Sequence, residues 1–288
     1  MASVTVAGID CGTNSIRLKV ARVDEHGMEE IVPRTLRVIR LGQDVDQTHR
    51  FADEALERAY AAAGEFAEIL REHPVDGIRF VATSATRDAE NREQFEDAME
   101  RILGVRPEVI PGTEEADLSF LGATSVVERD LEAPYVVIDL GGGSTELVLG
   151  GDGVTAPKTE AGELPPFEVG DLGFERPADP ANGDWSSTVA LRSAKLARRA
   201  PRQIAEAIAD IDEHIDEAFR VVPAGKARTI IGVSGTVTTM TALTMGLKEY
   251  DHRLVDGVRV PFPDAFAVND RFLRMPREER LTYKTIHP

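Results

Sequence analysis

Two short phrases in this chain place the same chemistry twice. Ile9-Asp10-Cys11-Gly12-Thr13-Asn14-Ser15-Ile16-Arg17-Leu18 aligns without a gap on Ile138-Asp139-Leu140-Gly141-Gly142-Gly143-Ser144-Thr145-Glu146-Leu147, 129 residues later. Asp10 falls on Asp139, Gly12 on Gly141, Ser15 on Ser144 and Leu18 on Leu147. Glycine and serine in a tight turn let backbone N–H groups converge on an anion, and an Asp at the strand end can hold a cation or a water beside it. A single such phrase would read as an ordinary hairpin with a Gly-rich turn. Two aligned copies favour a phosphate reading, in which hairpins facing each other across a cleft hold a phosphate chain from both sides.

Each phrase needs strands to present it. Apolar runs at 4–9 and 135–138 precede the turns, and runs at 18–23 and 147–149 follow them, so each copy reads as strand, turn, strand. The first hairpin covers 4–10 and 15–23, with further strand at 28–41 carrying Arg34, Arg37 and Arg40. A helix is expected over 51–73, with Leu56, Tyr60, Ala63, Phe66 and Leu70 on one stripe. A buried strand at 78–82, a polar helix at 91–103 and a short strand at 109–110 follow. A helix over 114–127 opens with Glu114, Glu115 and Asp117, acids suited to a helix N-terminus. After the second hairpin, helix is expected at 202–221, strand at 229–233, and helices at 237–245, 264–273 and 276–283. Strands alternating with helices argue an α/β fold. The repeat argues two related domains, 1–125 and 126–288.

Composition narrows the partners. The 288 residues carry a net charge of −17, which opposes general nucleic-acid affinity but not a small or linear phosphate ligand. Six scattered histidines show no ligand spacing, so any metal would be held by carboxylates. Cys11 is the one cysteine, excludes an internal disulfide and suits a reducing compartment. It is expected to be a small buried group ending the first strand. No apolar run approaches the ~20 residues of a membrane span, and no signal peptide is legible, so no membrane partner and a cytoplasmic setting are expected.

Five ordered motifs resemble the Ppx/GppA family of exopolyphosphatases and guanosine pentaphosphate phosphohydrolases, within the actin-like ATPase and sugar-kinase superfamily. They are the two phrases above, Ala82-Thr83-Ser84-Ala85-Thr86-Arg87-Asp88-Ala89-Glu90-Asn91, Pro111-Gly112-Thr113-Glu114-Glu115-Ala116 with Leu118, and Gly232-Val233-Ser234-Gly235-Thr236. The resemblance covers 4–150 and resumes near 202. It implies two actin-like (ribonuclease H-like) domains with a phosphate-binding cleft between them. The implied reaction is release of a terminal phosphate from inorganic polyphosphate or guanosine pentaphosphate, with Mg²⁺ (or Mn²⁺) and water. A homodimer is one option. Glu115 matches the family's general base. Asp139 matches its metal-linked Asp, with Glu146 a second carboxylate and Asp10 the weaker counterpart. Phosphate binding is carried over to Thr13, Asn14, Ser15, Arg17, Arg87, Gly141, Gly142, Gly143, Ser144, Ser234, Gly235 and Thr236. Taken singly, Glu115 could serve only the helix dipole, Asp139 and Glu146 only their own turn, and Arg87 only a helix end. Arg34, Arg37 and Arg40 fit a channel for a longer chain or an exposed strand face equally well.

The family pattern lapses in two places. Asp171-Leu172-Gly173-Phe174-Glu175-Arg176 is a remnant of the segment that normally follows the central loop, and the end at Pro288 reads as a chain cut short. Residues 152–201 hold six of the sixteen prolines and no helical or strand period, so an irregular excursion is expected there. Two other readings stay open. One is an ATPase or sugar kinase, against which the Glu114-Glu115 motif and 83–91 stand. The other is a non-catalytic sensor of guanosine tetra- or pentaphosphate.

Overall fold

The computed structural model describes residues 3–126, 131–151, 158–162, 218–280 and 282–283. The chain divides into two compact units, Met1–Glu115 with Gly141–Ser144, and Ala116–Leu140 with Thr145–Pro288.

Unit 1 is a five-stranded sheet backed by helices. Strands β1 (Val4–Cys11), β2 (Ser15–Asp24) and β3 (Gly27–Val38) form an antiparallel meander. β4 (Gly77–Ala82) runs parallel to β1, and β5 (Glu108–Val109) parallel to β4, giving the order β3-β2-β1-β4-β5. Alternation drives the layering: Ala7, Ile9 and Cys11 are buried on one face of β1, while Val4 and Val6 stay exposed on the other. Between β3 and β4 come α1 (Val45–Thr48) and α2 (Asp53–Glu72). Helix α2 turns Ala55, Leu56, Ala59, Ala62, Ala63 and Phe66 inward at helical spacing. After β4 come α3 (Ser84–Asp88) and α4 (Arg92–Leu103), the latter ended by Gly104 in the left-handed region at φ 74°. Phe66, Phe80 and Phe95 are fully buried in this core.

Cys11 closes β1 with no exposed surface. Burial first, and the neighbouring Asp10 second, push its thiol well above the usual range. The native thiol is therefore expected to resist a disulfide reagent such as DTNB at pH 8 and to react only on unfolding. Stoichiometric modification of folded protein would contradict its burial.

Unit 2 repeats the plan. The helix α5 (Gly112–Ser125), whose first turn is grouped with unit 1, leads to the hairpin β6 (Tyr135–Leu140) and β7 (Thr145–Gly150). β8 (Lys158–Gly162) adds to β7 antiparallel, and β9 (Thr229–Val233) adds to β6 parallel, giving β8-β7-β6-β9. The order is that of unit 1 without its last strand, so the sequence repeat is a repeat of topology. Ala116 and Phe120 of α5 pack on Val137 and Val148. After β9 come α6 (Ser234–Thr244), α7 (His252–Val255), α8 (Phe262–Arg274) and α9 (Arg277–Arg280). Among the described residues no helix is long and apolar enough to cross a membrane.

β8 corrects the irregular reading of 152–201 for the five residues 158–162. An edge strand needs backbone pairing on one side only, and Pro157 and Pro165 fall just outside it. Residues 152–157 and 163–217, including the 171–176 remnant and most of the helix expected at 202–221, lie outside the described residues.

Candidate functional site

In the turn between β1 and β2 the carbonyls of Thr13, Asn14 and Ser15 are all engaged by backbone donors. Gly12 N–H donates to Ser15 O at 3.0 Å. The N–H groups of Ile39 and Arg40 both donate to Asn14 O at 2.9 Å, and Gly42 N–H donates to Thr13 O at 2.9 Å. Among the described residues the N–H groups of Thr13 and Asn14 make no such bond, which leaves them available to an anion. The loop doing the holding is fixed in turn. Leu41 is fully buried, Arg40 and Asp44 take left-handed conformations (φ 48° and 61°), and Arg58 Nε of α2 donates to Ile39 O at 2.8 Å. A Cβ at Gly42 would collide with the Thr13 methyl. Gly42→Ala is therefore expected to cost about 1–3 kcal/mol, as overpacking does. A lowered urea midpoint, with a raised KM for a phosphate substrate, is the measurement; unchanged values would show that the loop yields freely.

Thr13 and Ser15 lie in this turn, and Arg17 and Arg87 are each fixed by contacts of their own. Ser15 is buried, and Thr13 Oγ1 shares a hydrogen bond of 2.8 Å with Ser84 Oγ of α3. Arg17 stands opposite Asp10 across the β1–β2 ladder and its Nη1 donates to Asp10 Oδ2 at 2.8 Å. Arg87, at the end of α3, donates through Nη1 to Ile110 O at 2.8 Å and to Glu115 Oε2 at 3.1 Å. The Arg87–Glu115 pair is only about one-fifth exposed, at 20% and 17%. Beside it, Arg79 Nη2 spans Glu108 at 3.0 Å and Glu114 at 2.7 Å. The two acids of the Glu114-Glu115 motif are thus tied down separately, and hydrogen bonding to both carboxylates holds the Arg79 guanidinium above its ordinary pKa. Arg37, a candidate for a longer channel, is engaged by Glu65 of α2 at 2.7 Å.

The second turn copies the first. Gly141 N–H donates to Ser144 O at 3.0 Å, the counterpart of the Gly12–Ser15 bond. Within unit 1, to which this turn is grouped, a Cβ at Gly143 would stand 2.6 Å from Thr13 Oγ1 and 2.9 Å from Ser84 Oγ. One at Gly142 would stand 3.3 Å from Asn14 Cβ. The close approach leaves no room for a side chain at 143 without a shift, whereas at 142 Asn14 would have to give only slightly.

In unit 2, Asp139 and Glu146 stand opposite each other across β6 and β7, so both side chains occupy one face. Glu146 is 1% exposed. Val137 and Val148 form the layer below on the same face, and α5 covers it. From α5, Ser119 Oγ donates to Asp139 Oδ2 at 2.6 Å. Ser234 begins α6 in the left-handed region (φ 76°), an unfavourable conformation for a residue with a Cβ, and Gly235 and Thr236 beside it are exposed. Among the described residues no group of three His, Cys, Asp or Glu could cage a metal. Two facing carboxylates nonetheless fit Mg²⁺, which takes one or two carboxylates and completes its shell with waters and substrate phosphates.

Sequence reasoning assigned no role to Ser84, Ser119, Arg58 or Arg79. Ser84 lies inside a quoted motif; nothing in the sequence marks the other three.

The model of the Ppx/GppA phosphatase family matches residues 19–161. A second model, the arginyl tRNA synthetase N-terminal domain, matches residues 158–225, a quarter of the chain, and identifies no family. Exopolyphosphatase 2 of Mycobacterium tuberculosis is 40% identical over 296 residues, spanning 100% of this chain and 86% of that protein. The crystal structure of an exopolyphosphatase-like protein is 68% identical, with a TM-score of 0.83 over 100% of this chain and 83% of its own. The Aquifex aeolicus PPX-GPPA enzyme is 27% identical, with a TM-score of 0.70 over 99% of this chain and 86% of its own.

Proposed function

We propose a function for this chain from one premise: it belongs to the Ppx/GppA phosphatase family. It is a hydrolase of phosphoanhydride bonds with an actin-like fold, and the reaction we assign is release of the terminal phosphate of inorganic polyphosphate. The observation that carries the substrate is the likeness to exopolyphosphatase 2 along the whole chain.

In this proposal the turn N–H groups of Thr13 and Asn14, with Ser15, Arg17 and Arg87, hold phosphate oxygens. Gly141, Gly142, Gly143, Ser144, Ser234, Gly235 and Thr236 are assigned the same role. Glu115 takes a proton from the attacking water. The water oxygen forms a bond to the terminal phosphorus as the bridging P–O bond breaks, and the bridging electrons leave with the shortened chain. The Arg87–Glu115 contact supports this pairing of roles, because it keeps a guanidinium for phosphate next to the base. Asp139 and Glu146 would hold Mg²⁺ or Mn²⁺, which would supply positive charge against the charge that builds on the oxygens. Asp10, engaged by Arg17, is proposed as an outer carboxylate. A cytoplasmic setting is part of the same reading, supported by the free thiol of Cys11.

Guanosine pentaphosphate has the same terminal phosphate and is the natural competitor. Phosphate release from polyphosphate and from guanosine pentaphosphate, measured side by side with Mg²⁺, tests the assignment. Faster turnover of polyphosphate is expected. Release from guanosine pentaphosphate alone would overturn the substrate assignment, and binding without release from either would overturn the catalytic one.

A further inference from the structure

We infer that Ser119 is a positioning residue for Asp139, fixing the carboxylate that takes the divalent ion; the inference rests on the reading of Asp139 as a metal-linked residue.

Three observations carry it. The first is the direction of the hydroxyl. Helical serine and threonine hydroxyls ordinarily fold back on their own helix. Thr124 of α5 does so onto Phe120 O at 2.7 Å, and Thr238, Thr241 and Thr244 of α6 bond the carbonyls four residues earlier at 2.8–3.0 Å. Ser119 instead leaves its helix and reaches Asp139 Oδ2 at 2.6 Å. That length is typical of a hydroxyl donating to a charged carboxylate, which is the stronger class of hydrogen bond.

The second is placement. Ala116, Phe120 and Ala123 are the α5 residues that pack on the sheet, and Ser119 falls on the same stripe, three after Ala116. The Val137–Val148 layer sets the separation of helix and sheet. Asp139 is the next residue on that face after Val137, so the hydroxyl meets the carboxylate at the strand end. The packing thus fixes both ends of the bond.

The third is what remains of the carboxylate. With Oδ2 occupied, Oδ1 makes no bond among the described residues and stays available to an ion. Glu146 stands on the same face directly across the ladder. A carboxylate with one oxygen tethered presents the other in a single orientation, and removing such a tether typically weakens metal binding 10–100-fold.

Mn²⁺ binding to the whole protein, read by water-proton relaxation with the metal alone, tests this. Ser119→Ala is expected to weaken binding about 10–100-fold. Alanine suits a helix, so circular dichroism and the melting temperature should stay near wild type. Ser119→Thr retains the hydroxyl and should bind Mn²⁺ within about threefold of wild type, a rescue that simple packing damage would not give. Unchanged Mn²⁺ affinity in Ser119→Ala, together with a large loss in Asp139→Asn, overturns the role of Ser119 and leaves Asp139 as the ligand. Unchanged affinity in Asp139→Asn, or no Mn²⁺ bound by wild type, overturns the metal reading and this inference with it.

Discussion

Glu115→Gln is expected to lower phosphate release by about 10²–10⁴-fold, the usual loss when a general base is removed. Glutamine keeps the volume and can still meet Arg87, which now reaches Glu115 Oε2 at 3.1 Å and Ile110 O at 2.8 Å. Substrate affinity should therefore change little, and the loss should fall on kcat. Single-turnover phosphate release alongside equilibrium binding of a polyphosphate separates the two quantities. Release at the wild-type rate would remove Glu115 from the mechanism. A rise in KM with kcat intact would instead make it a phosphate-site residue.

Metal removal is the second large effect. Excess EDTA should abolish phosphate release, and added Mg²⁺ or Mn²⁺ should restore it. Asp139→Asn should raise the metal concentration for half-maximal activity by about tenfold or more. The reasoning is chemical: the described histidines form no ligand group, and the facing Asp139–Glu146 pair is the donor set that suits a hard cation. A metal titration of initial rates, wild type against variant, measures the shift. Full activity in chelator would exclude this role for the pair.

Much of the fold was legible because it rests on local pattern. The β1–β2 and β6–β7 hairpins follow from apolar runs around Gly-rich turns, and α2 from the spacing of its inward residues. Less was legible where tertiary contacts decide. Helix α1 spans only Val45–Thr48 between left-handed Asp44 and His49, too short to carry a period. Helix α6 begins at Ser234, three residues earlier than its apolar pattern suggests. β8 was missed because edge strands need little apolar character. At the candidate site the turns could be read from the repeat, and Glu115, Arg87 and Asp139 through the family motifs. The tethers could not. Arg58, Arg79 and Ser119 are ordinary helix and strand residues until the fold brings a carbonyl or carboxylate to them.

The two hairpins share a backbone but not a charge. Across the first ladder an acid, Asp10, faces a base, Arg17; across the second two acids, Asp139 and Glu146, face each other. Like charges directly opposite in a ladder oppose the pairing of their strands. The first pair is therefore complementary in charge type, whereas the second is the pair that a bound cation would favour in the proposed reaction. A ligand bound by the folded form alone raises stability by RT ln(1 + [L]/Kd), about 2.7 kcal/mol at 100 times Kd. On the proposed metal role of Asp139 and Glu146, the melting temperature of unit 2 is therefore expected to rise with the divalent-cation concentration, a dependence that the Asp10–Arg17 pair gives no reason to expect of unit 1.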